Sequence, residues 1–186
     1  MNKTPSPNPW QPFLKLAEHS LRRHHLPRIE RCFDLLSPEQ IWWRPNPASN
    51  SAGNLALHLA GNVRQWIVSA VGGAPDARQR DQEFAERGPL PDPELVKVLR
   101  VSVRDACRVL RRLSAVELAR IYTIQGLQVT GLNAIFHVVE HFAFHTGQII
   151  FISKQQLRRD LDFTRLPGDM PEHRTRERAS RKLPVI

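Results

Sequence analysis

The sequence predicts an all-α protein, built as a four-helix bundle with one long crossover loop and a small hairpin before the last helix. Three observations carry this reading. Four long stretches place apolar residues at helical spacing, turn-rich segments separate them, and only one short stretch alternates in the manner of strands. At 186 residues and 41% hydrophobic content the chain is one domain of ordinary size with enough apolar mass for a core. The reading divides it into a disordered N-terminal segment over 1–9, the bundle over 10–157 and a basic C-terminal tail over 158–186.

Residues 1–9 hold three prolines and no apolar partner. A first helix is expected from Trp10 to Leu36, with Phe13, Leu14, Leu16, Ala17, Leu21, Ile29, Phe33 and Leu36 on its apolar side. Pro27 should kink or split it near Leu26. The cluster His19, Arg22, Arg23, His24, His25 reads as a solvated face from which His19 could turn inward. Ser37-Pro38-Glu39-Gln40 is a cap followed by one turn through Trp43. After the loop 44–52, a second helix runs from Ala52 to Val71, capped by Asn50 or Ser51 and stopped at Gly72-Gly73. Leu55, His58, Leu59, Asn62, Val63 and Trp66 share its inner face.

Residues 74–91 are polar and contain prolines, and read as a crossover of the longer kind that often lies over a site. Asp92-Pro93 opens a third helix that continues to Leu113 through Leu95, Val98, Leu99, Val103, Ala106, Val109 and Leu110. Ser114 and Glu117 form a capping box for a short turn. Ile121 to Thr130 alternates around Gly126, which predicts a two-stranded excursion. Thr130 then caps the fourth helix, which reaches Leu157. The tail beyond it is rich in charge, and either drapes over the bundle or stays disordered.

Net charge of +9 invites a nucleic-acid reading, but the basic residues are scattered and no recognition motif accompanies them. Arginine on solvated faces explains the charge, and no nucleic-acid partner is expected. No apolar run approaches the ~18–20 residues of a membrane span, and the N-terminus lacks the apolar region of a signal peptide. A cytoplasmic protein without a membrane partner follows. Cys32 and Cys107 form no C-x-x-C pair and read as reduced, half-buried helix residues.

The chemistry-bearing feature is the row His137, His141, His145 on the fourth helix. Residues four apart stack along one side, each about 40° further round than the last. Ile135, Val138, Val139, Phe142, Ile149 and Ile150 surround the row, so the imidazoles should face the core, where their nitrogens need partners. Two of the three, joined by a histidine from another helix, could hold a divalent ion. Imidazole suits zinc, nickel, copper and iron alike. Three neutral imidazoles leave the ion's charge uncompensated, which favours an anionic fourth ligand. The spacing alone is a weak sign, because eight histidines in 186 residues often fall four apart. H-F-A-F-H also lacks the glutamate of a zincin, and Glu140 projects about 100° away from His141.

Leu57-His58-Leu59-Ala60-Gly61-Asn62, followed by His141-Phe-Ala-Phe-His145-Thr-Gly147-Gln148-Ile149, resembles the DinB/YfiT-like superfamily of metalloenzyme-like proteins. Trp43-Arg44-Pro45-Asn46-Pro47-Ala48-Ser49-Asn50-Ser51, Arg80-Asp81-Gln82-Glu83-Phe84 and Thr123-Ile124-Gln125-Gly126 are similar to motifs of one uncharacterised subgroup, in the same order. The resemblance covers roughly residues 10–157. It implies a bundle with a three-histidine metal site, carried here by His58, His141 and His145, with zinc or nickel as the ion. His137 has no counterpart among the ligands and becomes a neighbouring imidazole. Asn62 and Gln148 are candidates for the pocket or for bonds to a ligand, and Gly147 for close helix packing. Trp42, Trp43 and Trp66 read as core aromatics. The resemblance further implies a homodimer and a metal-dependent transferase or hydrolase, with a low-molecular-weight thiol as cofactor in some relatives. The high arginine content departs from the family and leaves the small-molecule substrate open. The alternative is a non-catalytic binding module, metal-stabilised or apo, with a basic surface.

Overall fold

A computed structural model describes residues 8–88 and 92–163, with the side chains of Asp92 and Pro93 excepted. The cap assigned to Asp92, the first seven residues and the tail beyond 163 lie outside the described residues. Asn8 is already tied down: its amide donates to the carbonyl of Leu113 at 3.0 Å.

The first rod of the bundle comprises α1 (Gln11–His19), a π-helical segment π1 (Ser20–His25) and α2 (Leu26–Phe33). Pro27 has no N–H for the carbonyl four residues back, and the helix meets it by widening: the Leu26 N–H reaches Leu21, five residues earlier. The wider turn changes which side chains face inward. His19 and His24 are exposed, whereas His25 is half-buried with its ring 6.1 Å from that of Phe142. Leu16, expected on the apolar side, is 62% exposed.

Ser37 and Gln40 form a capping box on the short α3 (Pro38–Trp42). The second rod is α4 (Ala52–Val63), continued by the π-helical π2 (Arg64–Val71) to Gly72. Ser51 is its cap: the hydroxyl accepts from the Asn54 N–H at 3.1 Å. Almost every residue of α4 is buried, as befits a helix enclosed on several sides by α6, α8 and the crossover. The crossover is not pure loop. It contains α5 (Arg80–Ala85), packed on α4.

The third rod, α6 (Asp92–Leu110), buries Leu95, Leu99, Val103, Ala106 and Leu110, while Val98 stays partly exposed. Ser114 caps α7 (Ala115–Ala119) through the expected box with Glu117. Strands β1 (Ile121–Ile124) and β2 (Leu127–Thr130) pair antiparallel around Gln125 and Gly126, with φ of 53° and 79°. Two positive φ angles in a two-residue loop match the right-handed twist of a hairpin, and glycine adopts the second without strain.

Thr130 caps the fourth rod, α8 (Gly131–Leu157), accepting from Asn133 at 3.1 Å. By length and composition α8 is apolar and long enough to cross a membrane, which corrects the sequence reading that nothing in the chain is. In the bundle, its Ala134, Ile135, Val138, Phe142, Ile149 and Ile152 are buried core residues, packed between α4 and the first rod. Arg158 turns the chain in the left-handed region, and the first residues of the tail fold back, burying Leu161. Cys32 and Cys107 are free and fully rather than half buried.

Candidate metal centre

The site forms where α4 passes α8. His58 lies two turns into α4 and is 5% exposed; His141 and His145 lie one turn apart on α8 and are half-buried. The Nε2 atoms of His58 and His141 stand 2.9 Å apart. One ligand-capable nitrogen from each of the three rings lies within 4.8 Å of the others. A tetrahedral ion about 2.0–2.1 Å from each nitrogen sets neighbouring donors about 3.3 Å apart. The observed 2.9 Å and the 4.8 Å bound bracket that spacing, so the three residues fit a single divalent ion.

The outer nitrogens of two rings are engaged. His145 Nδ1 donates to Gln148 Oε1 at 2.6 Å, leaving Nε2 for the shared space. His58 Nδ1 lies 3.0 Å from Glu83 Oε2. Burial, followed by the neighbouring imidazoles, pushes His141 down to about 3, and burial lowers His145 as well. Both are neutral at physiological pH, with lone pairs free to bind an ion.

His137 does not join the three. Its ring lies tilted against Trp66, centroids 4.1 Å apart, and stacks at 5.3 Å on His141, a neighbouring imidazole one turn too far along the helix. Asn62 is buried, but its Oδ1 has no hydrogen-bond partner and the side chain bonds none of the histidines. Gln148 does what was expected of it. Gly147 does not: a Cβ there would meet nothing within 4 Å, so it serves no close packing within the chain and instead opens onto solvent.

The residue the sequence reading left without a role is Glu83, on α5. Arg78 clamps it with two bonds of 2.8 Å, Nε to Oε1 and Nη2 to Oε2. Burial alone would raise the Glu83 carboxyl, but hydrogen bonds from Arg78 and His58 outweigh it and hold it below the usual range. Asn54 on α4 and Arg44 of the W-R-P motif carry the backbone under it. Asn54 Nδ2 donates to the carbonyls of Glu83 and Glu86 at 2.9 and 3.0 Å. Arg44 Nη2 donates to Asn54 Oδ1 at 2.6 Å and to the carbonyls of Phe84 and Glu86. Arg44 and Asn54 therefore fasten the crossover across α4. A separate groove of 540 Å³ runs past Gln148, lined by Leu55, Ser49, Asn50, Phe144 and Phe151, with no charged side chain in its wall.

Comparison with known proteins places this arrangement. A family described as "Protein of unknown function (DUF1572)" matches residues 9–168. The chain belongs to this family. Three solved structures share the fold. A DinB-like protein from Bacillus cereus ATCC 10987 is 16% identical, with a TM-score of 0.57 over 72% of this chain and 87% of that one. A conserved protein from Enterococcus faecalis is 17% identical, with a TM-score of 0.63 over 78% and 97%. A DinB-like protein from Bacillus subtilis is 19% identical, with a TM-score of 0.57 over 82% and 96%. No curated protein matches the chain. The DUF1572 chain thus shares the bundle fold of these DinB-like proteins, and its three clustered histidines are compatible with a metal site.

Proposed function

We propose that His58, His141 and His145 hold one divalent ion, zinc or nickel, and that the protein is a metal-dependent transferase or hydrolase of small molecules. The observation that carries the reading is the convergence of three imidazoles from two helices on one space, with two Nε2 atoms 2.9 Å apart. Such an ion supplies Lewis acidity, activating water or a low-molecular-weight thiol at neutral pH. The chain's own residues orient and exclude. Gln148 fixes the ring of His145 and also lines the groove, so the groove reaches the outer edge of one of the three imidazoles. The groove's neutral wall of phenylalanines and small polar groups suits an uncharged, largely apolar substrate rather than an anion. The protein's cysteines are buried in the core, so a participating thiol comes from solution. In this reading the protein works in the cytoplasm, as a homodimer, away from membranes and nucleic acid.

The test is metal analysis followed by an activity screen. Protein purified without an affinity tag should carry close to one zinc or nickel per chain, and the pair His58→Ala, His141→Ala should abolish it. The holoprotein, offered electrophiles with cytosolic thiols, should turn over only when metal is present. Metal without turnover would favour a metal-stabilised binding module; metal retained by the double variant would defeat the site.

A further inference from the structure

We propose that Glu83 is a positioning residue for the metal centre: its carboxylate, clamped by Arg78, holds the proton of His58 on Nδ1 and so presents the Nε2 lone pair to the other imidazoles. The inference rests on the three-histidine reading above and extends it to the crossover.

Three groups meet in a tight triangle. Glu83 Oε2 lies 3.0 Å from His58 Nδ1, Arg78 Nη2 lies 2.8 Å from the same oxygen, and Nη2 lies 3.1 Å from Nδ1. The side chains are enclosed, at 7% exposure for His58, 10% for Glu83 and 3% for Arg78. A guanidinium only donates, and an ionised carboxylate only accepts. For a neutral ring, the form that binds a metal, two arrangements are therefore open. With the proton on Nδ1, His58 donates to Glu83 and Nε2 is a free lone pair. With the proton on Nε2, Nδ1 accepts from Arg78, but then a lone pair faces the carboxylate at 3.0 Å and an N–H points into the metal space. The carboxylate repels a lone pair on Nδ1 and accepts an N–H there, which favours the first arrangement.

The seat for the carboxylate is built into α4. A Cβ on Gly61 would lie 1.9 Å from Glu83 Oε1 and 3.0 Å from Arg78 Nε, so only glycine leaves room for the pair against the helix. Asn54 and Arg44 fix the backbone on either side of it, and Phe84 lays its ring 4.7 Å from that of His58. A carboxylate behind a metal-facing imidazole orients the ring and raises its basicity, and removing such a partner typically costs 10–100-fold in metal affinity.

A mere staple between crossover and helix would be indifferent to the proton's position, so the test reads the tautomer. Nitrogen-15 spectra of the histidine rings in metal-free protein should show His58 protonated at Nδ1, and in Glu83→Ala protonated at Nε2. In parallel, Co(II) titration should give about a 10–100-fold weaker dissociation constant for Glu83→Ala. Arg78→Met in the Glu83→Ala background should recover part of that loss, because the competing donor is gone. Glu83→Gln, which keeps the side chain's volume, should show a smaller loss and serves if Glu83→Ala fails to fold. An Nε2-protonated His58 in the wild type, or a tautomer and Co(II) affinity unmoved in the variants, would overturn the proposal. Wild-type protein that bound no Co(II) would instead defeat the metal reading, while the tautomer result would still report on Glu83.

Discussion

His58 and His141, 83 positions apart in the chain, place their Nε2 atoms 2.9 Å from one another where α4 crosses α8. Two neutral imidazoles in a half-buried interior form at best one hydrogen bond by this approach, a poor return for desolvating both rings. An ion between them and His145 would satisfy all three lone pairs at once, which makes the packing of these helices intelligible as a ligand cage.

Gly61 provides a probe of the crossover that leaves the ligands untouched. Alanine normally favours a helix over glycine by about 1 kcal/mol, but here its methyl group would displace the Glu83–Arg78 pair. Gly61→Ala should keep its helical circular dichroism yet bind metal more weakly and expose residues 76–86 to limited proteolysis. Unchanged affinity and protease resistance would show that the pair moves aside at no cost.

Arg44 is the fastening of that same segment, donating to Ser49, Asn54, Phe84 and Glu86. Arg44→Met takes all four bonds away and leaves the Ser49 carbonyl without this donor, while Asn54, Phe84 and Glu86 keep others; a lost bond to a charged group typically costs about 1.5–3 kcal/mol. We expect a lower unfolding free energy and faster amide exchange over residues 80–86, measured by denaturant titration and hydrogen exchange.

The outline of the bundle was legible in the sequence because its signals are local. Caps at Ser37, Ser51, Ser114 and Thr130 and the alternation around Gly126 each specify structure within a few residues. The clustering of His58, His141 and His145 was legible through motif resemblance, since spacing alone favoured plain core imidazoles. The contact of Glu83 with His58 was not, because it joins a crossover to a helix 25 residues away and no periodicity marks it. The inward turn of His25 was hidden for a different reason. A π-turn advances by more residues than 3.6, so the face drawn on an ideal helix lost its phase across Ser20–His25. Gly147 was assigned to close helix packing, while among the described residues nothing lies within 4 Å of a Cβ there.

His25 should make stability depend on pH. Burial, with the charges of His24 and Arg28, pushes it down to about 4. Its ordinary value in the unfolded chain is about 6.5, so protons bind the unfolded state more readily. The folded state keeps its full advantage above pH 6.5 and loses it progressively as pH falls toward 4. Urea unfolding at pH 7 and pH 5 should show a smaller decrease for His25→Gln than for the wild type.

The two thiols should be inert in the native protein. Burial raises both, Cys107 to about 11, and neither side chain is more than 2% exposed. An aromatic disulfide reagent at pH 8 should titrate no thiol without denaturant and two with it. Fast native labelling would place a reactive cysteine where the structure has none.

Gly147 tests the groove. A Cβ at this exposed position meets nothing within 4 Å and leucine suits the helix better than glycine, so metal content and melting temperature should hold or rise. Its side chain would narrow the groove beside Gln148, and turnover of any substrate found in the screen should fall. Full activity in Gly147→Leu would move the substrate to another face.

The most direct test of the metal centre is an anomalous-scattering map of holoprotein crystals, recorded on either side of the zinc and nickel edges. One peak per chain is expected, about 2.0–2.1 Å from Nε2 of His58, His141 and His145. A metal peak elsewhere, or three imidazoles closed upon one another around no ion in metal-replete protein, would contradict the account.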